Sequence, residues 1–210
     1  VFLGLKAAVQ YQLGVEHLHG VRVAVQGLGS VGMSLCHWLA RAGTHILVTD
    51  LDADRVKLAE QKYAAKGVAP DALLDQPVDV FAPCALGGVI TEALAEQLNV
   101  AVIAGAANNQ LATPTSGDIL RARGILYAPD FVINAAGVIS VAHEYLGKST
   151  EERVKSEVCR IPQRLQRIFA DAASTARPTN VVADELAQQI VAKGRQGETA
   201  NRSTASRRIA

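Results

Sequence analysis

The sequence predicts an α/β chain built on a doubly wound parallel sheet with flanking and C-terminal helices. Three observations predict it. Short, mainly apolar runs rich in β-branched residues recur along the first 130 residues, as strands buried on both faces require. Stretches of helical periodicity alternate with them. The first apolar run passes straight into a glycine-rich turn and then a helix, the opening of a strand–loop–helix unit.

The elements follow in order. Leu5, Val9 and Leu13 recur at four-residue spacing and place a helix over residues 1–19, ended by Gly20. Val21–Val25 reads as a buried strand that extends to Gln26. Ser30–Ala42 reads as a helix stopped at Gly43. Ile46–Thr49 is the second strand, and Asp52 or Asp54 caps a helix reaching about Lys66. Val78–Phe81, Val100–Ala104 and Ile125–Tyr127 supply three further strands. A helix over Thr91–Leu98 and one ending at Arg121–Gly124 separate them. From Val132 onward the pattern is helical. Ser149-Thr150-Glu151-Glu152 reads as a capping box for a long helix that Pro162 is expected to kink. Another helix is expected over Ala183–Lys193, and the polar tail, which contains Arg207-Arg208, is expected to be loose.

Composition narrows the function classes. Of 210 residues, 49% are hydrophobic, enough apolar surface to offset the entropy of ordering a core. The 21 basic and 20 acidic side chains nearly cancel, so there is no electrostatic reason to expect a nucleic acid or an anionic membrane as partner. No run reaches the roughly 18 apolar residues of a membrane span. Cys36, Cys84 and Cys159 are too few and too scattered for a disulfide framework, which favours a reducing, cytoplasmic setting. The five histidines lack metal-ligand spacing, and no Cys-x-x-Cys occurs, so no metal site is expected. The first residue is Val1 rather than Met and opens directly on a helix, which suggests a piece of a longer protein.

Gly27-Leu28-Gly29-Ser30-Val31-Gly32 is a G-x-G-x-x-G placed between a strand and a helix, the context that gives the pattern meaning. Gly27 suits the tight turn, Gly29 close backbone approach to a pyrophosphate, and Gly32 close packing of helix on strand. The free N–H groups and dipole of the following helix would then face phosphates. The second strand ends at Asp50, about the expected ~20 residues past the loop, where a carboxylate accepts from ribose hydroxyls and repels a 2′-phosphate. Leu51 and Asp52 follow, and the nearest cation, Arg55, falls in the next helix, so NAD is favoured over NADP.

Ligands of open α/β sheets bind beyond the carboxyl ends of the strands. Those ends carry Cys84-Ala85-Leu86-Gly87-Gly88, Gly105-Ala106-Ala107-Asn108-Asn109-Gln110 and Asn134-Ala135-Ala136-Gly137. Asn108 and Asn134 read as amides that meet a ligand. Asn109 is divided evenly between that role and turn chemistry. Cys84 has no base beside it in sequence and reads as a lining thiol rather than a nucleophile. Arg160, Arg164 and Arg167 share helical spacing and read as one solvated face.

Together, Val25–Gly32, Phe81–Gly88, Ala104–Leu111 and Tyr127–Asn134 resemble the corresponding motifs of the leucine/phenylalanine/valine dehydrogenases, within the glutamate dehydrogenase-like amino-acid dehydrogenases. The resemblance runs from the first helix to about Lys193. It implies a Rossmann-type fold and reversible oxidative deamination of an L-amino acid to a 2-oxo acid, NADH and ammonium. It implies a phosphate loop of Gly27, Leu28, Gly29, Ser30, Val31, Gly32 and Met33, with Asp50 and Leu51 at the adenosine ribose. Cys84 and Ala85 would line the groove, Ala106 and Asn108 would lie near the nicotinamide ribose and substrate, and Asn134 would hold the carboxamide. Val138 and Val141, three apart on one helix face, would border the substrate side chain. Valines there are the leucine-type pattern, so a branched aliphatic substrate is expected, with phenylalanine second.

On that reading, residues 1–19 form an inter-domain helix, 20–148 the NAD-binding domain, 149–194 C-terminal helices and 195–210 a polar tail. The family's two active-site lysines and catalytic Asp lie on an N-terminal substrate domain whose motifs do not occur in this sequence. The seven lysines (Lys6, Lys57, Lys62, Lys66, Lys148, Lys155, Lys193) fall on expected helices or turns, so no catalytic residue is assigned here. An N-terminal domain of the same polypeptide and a homo-oligomer are the implied partners. One departure stands out: the family's Asn-Ala-Gly-Gly is Asn134-Ala135-Ala136-Gly137 here, and the added methyl is expected to crowd the nicotinamide or the substrate. The alternatives are a non-catalytic NAD-binding module or sensor subunit and, with less support, a methyltransferase using the same loop.

Overall fold

A computed structural model describes residues 1–147 and 150–206, with backbone alone from 194 onward. Strands β1 (Arg22–Gln26), β2 (His45–Thr49), β3 (Lys66–Gly67), β4 (Val80–Pro83), β5 (Val102–Ile103) and β6 (Leu126–Tyr127) form one parallel sheet in the order β3-β2-β1-β4-β5-β6. The order reverses direction between β1 and β4, where Val25 pairs with Val48 on one side and Ala82 on the other. A crevice opens at such a switch point beyond the strand ends.

The twofold alternation of strand side chains divides the core into two layers. Val23, Val25, Val48, Val80, Ala82 and Val102 face one layer. It is closed by Leu5 and Val9 of α1 (Phe2–Leu13), Leu35 and Leu39 of α2 (Ser30–Arg41), and Leu165 and Phe169 of α9 (Ile161–Thr175). Ala24, Phe81, Ile103 and Tyr127 face the other. There they meet Ala95 of α4 (Glu92–Gln97) and Leu120 of α5 (Pro114–Ala122). Burial on both faces is why the middles of the strands read as apolar runs rather than as an alternating pattern. At the amino ends of β1 and β4, Asp79 accepts from the Arg22 backbone N–H at 2.9 Å and from its guanidinium at 3.1 and 2.6 Å.

Several sequence expectations are corrected. The first helix ends at Leu13, not residue 19, because Gly14 adopts φ 67° and donates its N–H to Gln10. His17 and His19 therefore lie on a connection rather than a helix. The helix expected to reach Lys66 is α3 (Ala53–Tyr63). It stops at Ala64, left-handed at φ 51°, and Lys66 enters the edge strand β3 instead. Pro162 breaks rather than kinks: α8 (Glu151–Val158) ends, and Pro162 sits in the first turn of α9, where its missing N–H has no intrahelical partner to lose.

The cap of α8 is Thr150, which accepts from Arg153, while Ser149 and Lys148 lie outside the described residues. The expected loose tail is instead the continuation of α10 (Thr179–Ser206), since a lack of apolar period does not stop residues such as Ala, Gln and Arg from favouring helix. Arg207-Arg208 lie outside the described residues. The arginine cluster is not simply solvated: Arg160 and Arg164 both bond Glu157. Helices α6 (Asp130–Ile133) and α7 (Ala136–Tyr145) follow β6 and flank the crevice. No described helix is long and apolar enough to cross a membrane.

Candidate functional site

The crevice is assembled from the loops after β1, β2, β4, β5 and β6. Gly27 takes φ +98°, a conformation that side chains disfavour, and a Cβ there would lie 2.7 Å from the methyl of Ala85. A Cβ on Gly32 would stand 2.0 Å from the Gly27 carbonyl oxygen, so that glycine lets α2 seat against the loop. Gly29 differs from both. It caps α2 in an extended conformation, and a Cβ there would meet nothing within 4 Å. The loop reserves open space at Gly29, beside the N–H groups of the first α2 turn, which lack intrahelical acceptors. An anionic pyrophosphate fits that cradle by charge and by shape.

Ser30 and Val31 are exposed on this turn, whereas Leu28 and Met33 turn inward. The Leu28 N–H is committed to Asp50 at 2.6 Å and the Met33 N–H to Gly29 O at 2.9 Å, so these two shape the loop without donating to a ligand. Asp50 ends β2 with Oδ2 on Leu28 N and Oδ1 on Asp52 N at 2.9 Å. Partial burial tends to raise its pKa, but the N–H groups of Asp52, Leu28 and Leu51 and the charge of Arg55 outweigh it and hold the carboxyl below the usual range. It is a carboxylate fixed at the mouth, able to accept from a ribose diol. Leu51 beside it is almost wholly exposed.

Across the switch point, Cys84 donates its N–H to Gln26 O at 2.7 Å, tying the β4 loop to the end of β1. Burial pushes its thiol up to about 11, so at neutral pH it is an un-ionised lining group and not a nucleophile. The Asn134 amide nitrogen donates to Asn108 Oδ1 at 2.6 Å and to Ala106 O at 3.2 Å. Two segments, the loop after β5 and the end of α6, thus converge on one corner. Asn109 takes φ 51°, and its carbonyl accepts from Gly88 at 2.6 Å, so it serves the turn. Gly87 and Gly105, not singled out from the sequence, allow this packing. A Cβ would lie 2.4 Å from Asn108 O at the first and 2.1 Å from Pro83 O at the second.

Beside that corner opens a cavity of about 1150 Å³ between α1, α2 and α7. Val138 and Val141 line it and are 74% and 65% exposed, so α7 presents both outward. Ala136 lies on the same wall, half-buried against the core. Phe2 and Trp38, whose ring centroids are 6.0 Å apart, form the opposite side. Their part was not read from the sequence, although Val31, Ser34 and Trp38 share one helical face. None of the described lining residues is Asp, Glu, Lys, Arg or His; the polar side chains on this wall are the Asn108 and Asn134 amides and the Ser34 and Tyr145 hydroxyls. No group of three His, Cys, Asp or Glu among the described residues is placed to hold a metal.

A doubly wound parallel sheet with a glycine cradle after its first strand and a carboxylate at the end of its second is the architecture of a nucleotide-cofactor domain. The family model for glutamate/leucine/phenylalanine/valine dehydrogenase matches residues 47–197, and the chain belongs to that family. It is 42% identical over 191 residues to leucine dehydrogenase of Geobacillus stearothermophilus, covering 91% of this chain and 52% of the relative. It is 40% identical over 198 residues to valine dehydrogenase of Streptomyces albus, covering 93% and 54%. The crystal structure of L-tryptophan dehydrogenase from Nostoc punctiforme superposes with a TM-score of 0.87 at 39% identity, over 93% of this chain and 58% of that one. The chain spans about half the length of the curated relatives it matches.

Proposed function

We propose that this chain is the NAD-binding part of an L-amino-acid dehydrogenase that reversibly deaminates a branched aliphatic amino acid to its 2-oxo acid. The observation that carries the reading is the corner where Asn134 bonds both Asn108 and Ala106 O, in a crevice shared with Val31 of the glycine loop. The dinucleotide, when bound, supplies the hydride acceptor. The chain's residues do the rest of the holding. The N–H groups of the α2 turn face the pyrophosphate, and Asp50 accepts from the adenosine ribose. Asn134, already held by Asn108, presents its amide to the carboxamide, and Asn108 stands between cofactor and substrate. Cys84 and Ala85 close the groove wall.

Val138 and Val141 bound the substrate side chain, and Ala136 adds a methyl close to the reacting carbon. The lysines and acid for substrate anchoring and proton transfer come, on this reading, from an N-terminal domain of the same polypeptide, in a homo-oligomer. The three free cysteines fit a cytoplasmic setting.

The test compares kcat/KM for leucine and phenylalanine with NAD in the intact protein and in Val138→Ala. Leucine should be preferred, by a margin that reflects about 1–3 kcal/mol per methylene in an apolar pocket, and the variant should move toward phenylalanine. A native preference for phenylalanine, or no movement in the variant, contradicts the substrate reading. No amino-acid-dependent reduction of NAD at all contradicts the enzyme reading.

A further inference from the structure

We infer that Asp130 is a positioning residue for the carboxamide end of the crevice: its buried carboxylate locks the loop that carries Asn108 to the helix end that carries Asn134, so that the Asn134 amide oxygen is left facing the ligand. The inference rests on the dinucleotide reading above and concerns a residue that reading does not use.

A side-chain amide has two N–H donors and one carbonyl oxygen. In Asn134 the nitrogen serves two acceptors, Asn108 Oδ1 at 2.6 Å and Ala106 O at 3.2 Å. What remains for a ligand is the oxygen, which accepts from a primary amide and has nothing to offer a ketone or a carboxylate. Asn108 is exposed, and a hydrogen bond open to water holds little by itself. The orientation of the pair has to be set by something else.

Asp130 supplies that support. It opens α6 and is 9% exposed. One carboxylate oxygen accepts from the Gln110 N–H at 2.9 Å and the other from the Phe131 N–H at 2.7 Å. Its backbone carbonyl accepts from the Asn134 N–H at 2.9 Å, one helical turn on. Gln110 passes the constraint along the other segment. It is fully buried, and its Nε2 donates to the carbonyl of Ala107, the neighbour of Asn108, at 2.9 Å. The same two segments are therefore tied twice, by an amide pair on the cavity wall and, away from that wall, by a buried carboxylate.

The charge of that carboxylate is costly to bury. Among the described residues no Lys, Arg or His pairs with it. A buried charge without a counter-ion persists only where fixed donors replace its water. Here the donors are the two backbone N–H groups whose separation sets how the segments meet. An amide in its place has one oxygen where the carboxylate has two, and cannot serve both in this geometry.

The experiment is calorimetric titration of NADH and of ADP-ribose, which lacks the nicotinamide, into the intact protein, Asp130→Ala, Asp130→Asn, Asn134→Ala and the Asp130→Ala/Asn134→Ala double variant. Asp130→Ala should weaken NADH by about tenfold and ADP-ribose by less than about twofold, the loss expected when a charge-assisted hydrogen bond goes. Asp130→Asn, close in shape and able to keep one of the two N–H groups, should fall between. Asn134→Ala should match Asp130→Ala, and the double variant should lose no more than either, because both changes remove one contact. Parallel loss of both ligands in the two Asp130 variants is a general disturbance of the domain and overturns the positioning role. Unchanged NADH affinity in them, or losses that multiply in the double variant, overturn it too. An unmutated protein that binds NADH no more tightly than ADP-ribose, or binds neither, overturns the carboxamide or the dinucleotide reading itself, and the inference with it.

Discussion

Gly29 and Gly32 stand three residues apart in the chain and differ in role. At Gly32 an added Cβ strikes the Gly27 carbonyl at 2.0 Å, so the glycine is required by the protein itself. At Gly29 the same atom meets nothing within 4 Å, so no contact within the protein requires the glycine, and on the proposed reading the phosphates do. Gly29→Val should therefore leave the melting temperature nearly unchanged and weaken NADH by on the order of tenfold or more. Unchanged NADH affinity by calorimetry would mean the phosphates lie elsewhere. Pattern and context located both glycines in the sequence. The same is true of Asp50, Asn108 and Asn134, because each stands at the end of an apolar run. Gly87, Gly105 and Trp38 were not legible in that way. Their importance comes from what lies across the gap, and that neighbour belongs to a different part of the sequence.

Among the elements, the pairing of β1 with β4 is where the sheet reverses its order and where the crevice begins. At the opposite end of these strands, the Arg22 guanidinium and backbone N–H hold Asp79 below the usual carboxylate range, against a smaller opposing effect of burial. A depressed carboxyl contributes stability above its unfolded value of about 3.9, and that contribution is lost as pH falls through the lower folded value. Asp79→Asn should lower the melting temperature at pH 7, and the gap from the unmutated protein should close as the pH is taken below about 4. An identical gap at both ends of an acid series would show that the asparagine acts through packing alone. The break between α8 and α9 belongs to this scale too. Pro162 announced an interruption, but whether it bends one helix or starts another depends on which residues around it are buried. Ile161 and Leu165 are in the core, and no residue of α8 is.

For the molecule as a whole, the described wall of the large cavity holds amides, two hydroxyls and apolar groups but no Asp, Glu, Lys, Arg or His. If the proposed division of labour holds, the purified 210-residue chain binds NADH yet turns over leucine at least about 10²–10⁴-fold more slowly than the intact protein. That is the usual contribution of general acid–base assistance. Saturable turnover of leucine by this chain at the intact protein's rate would show that the proton-transfer groups are within it.

What the sequence by itself determined is the set of properties carried by local pattern: parallel strands from apolar runs buried on both faces, the cradle from glycine spacing, and the family from four ordered motifs. Only the tertiary structure decided the rest. Gly14 closes the first helix six residues before Gly20, because a left-handed glycine satisfied the helix end at once. Lys66-Gly67 became an edge strand because β2 offered unpaired backbone groups beside it. Arg55, assigned by sequence to the next helix, lies 3.9 Å from Asp50 because the first turn of α3 folds back over the end of β2. Periodicity reports which face of an element is apolar, but distances between elements are set by packing, and it is those distances that turn a motif into a site.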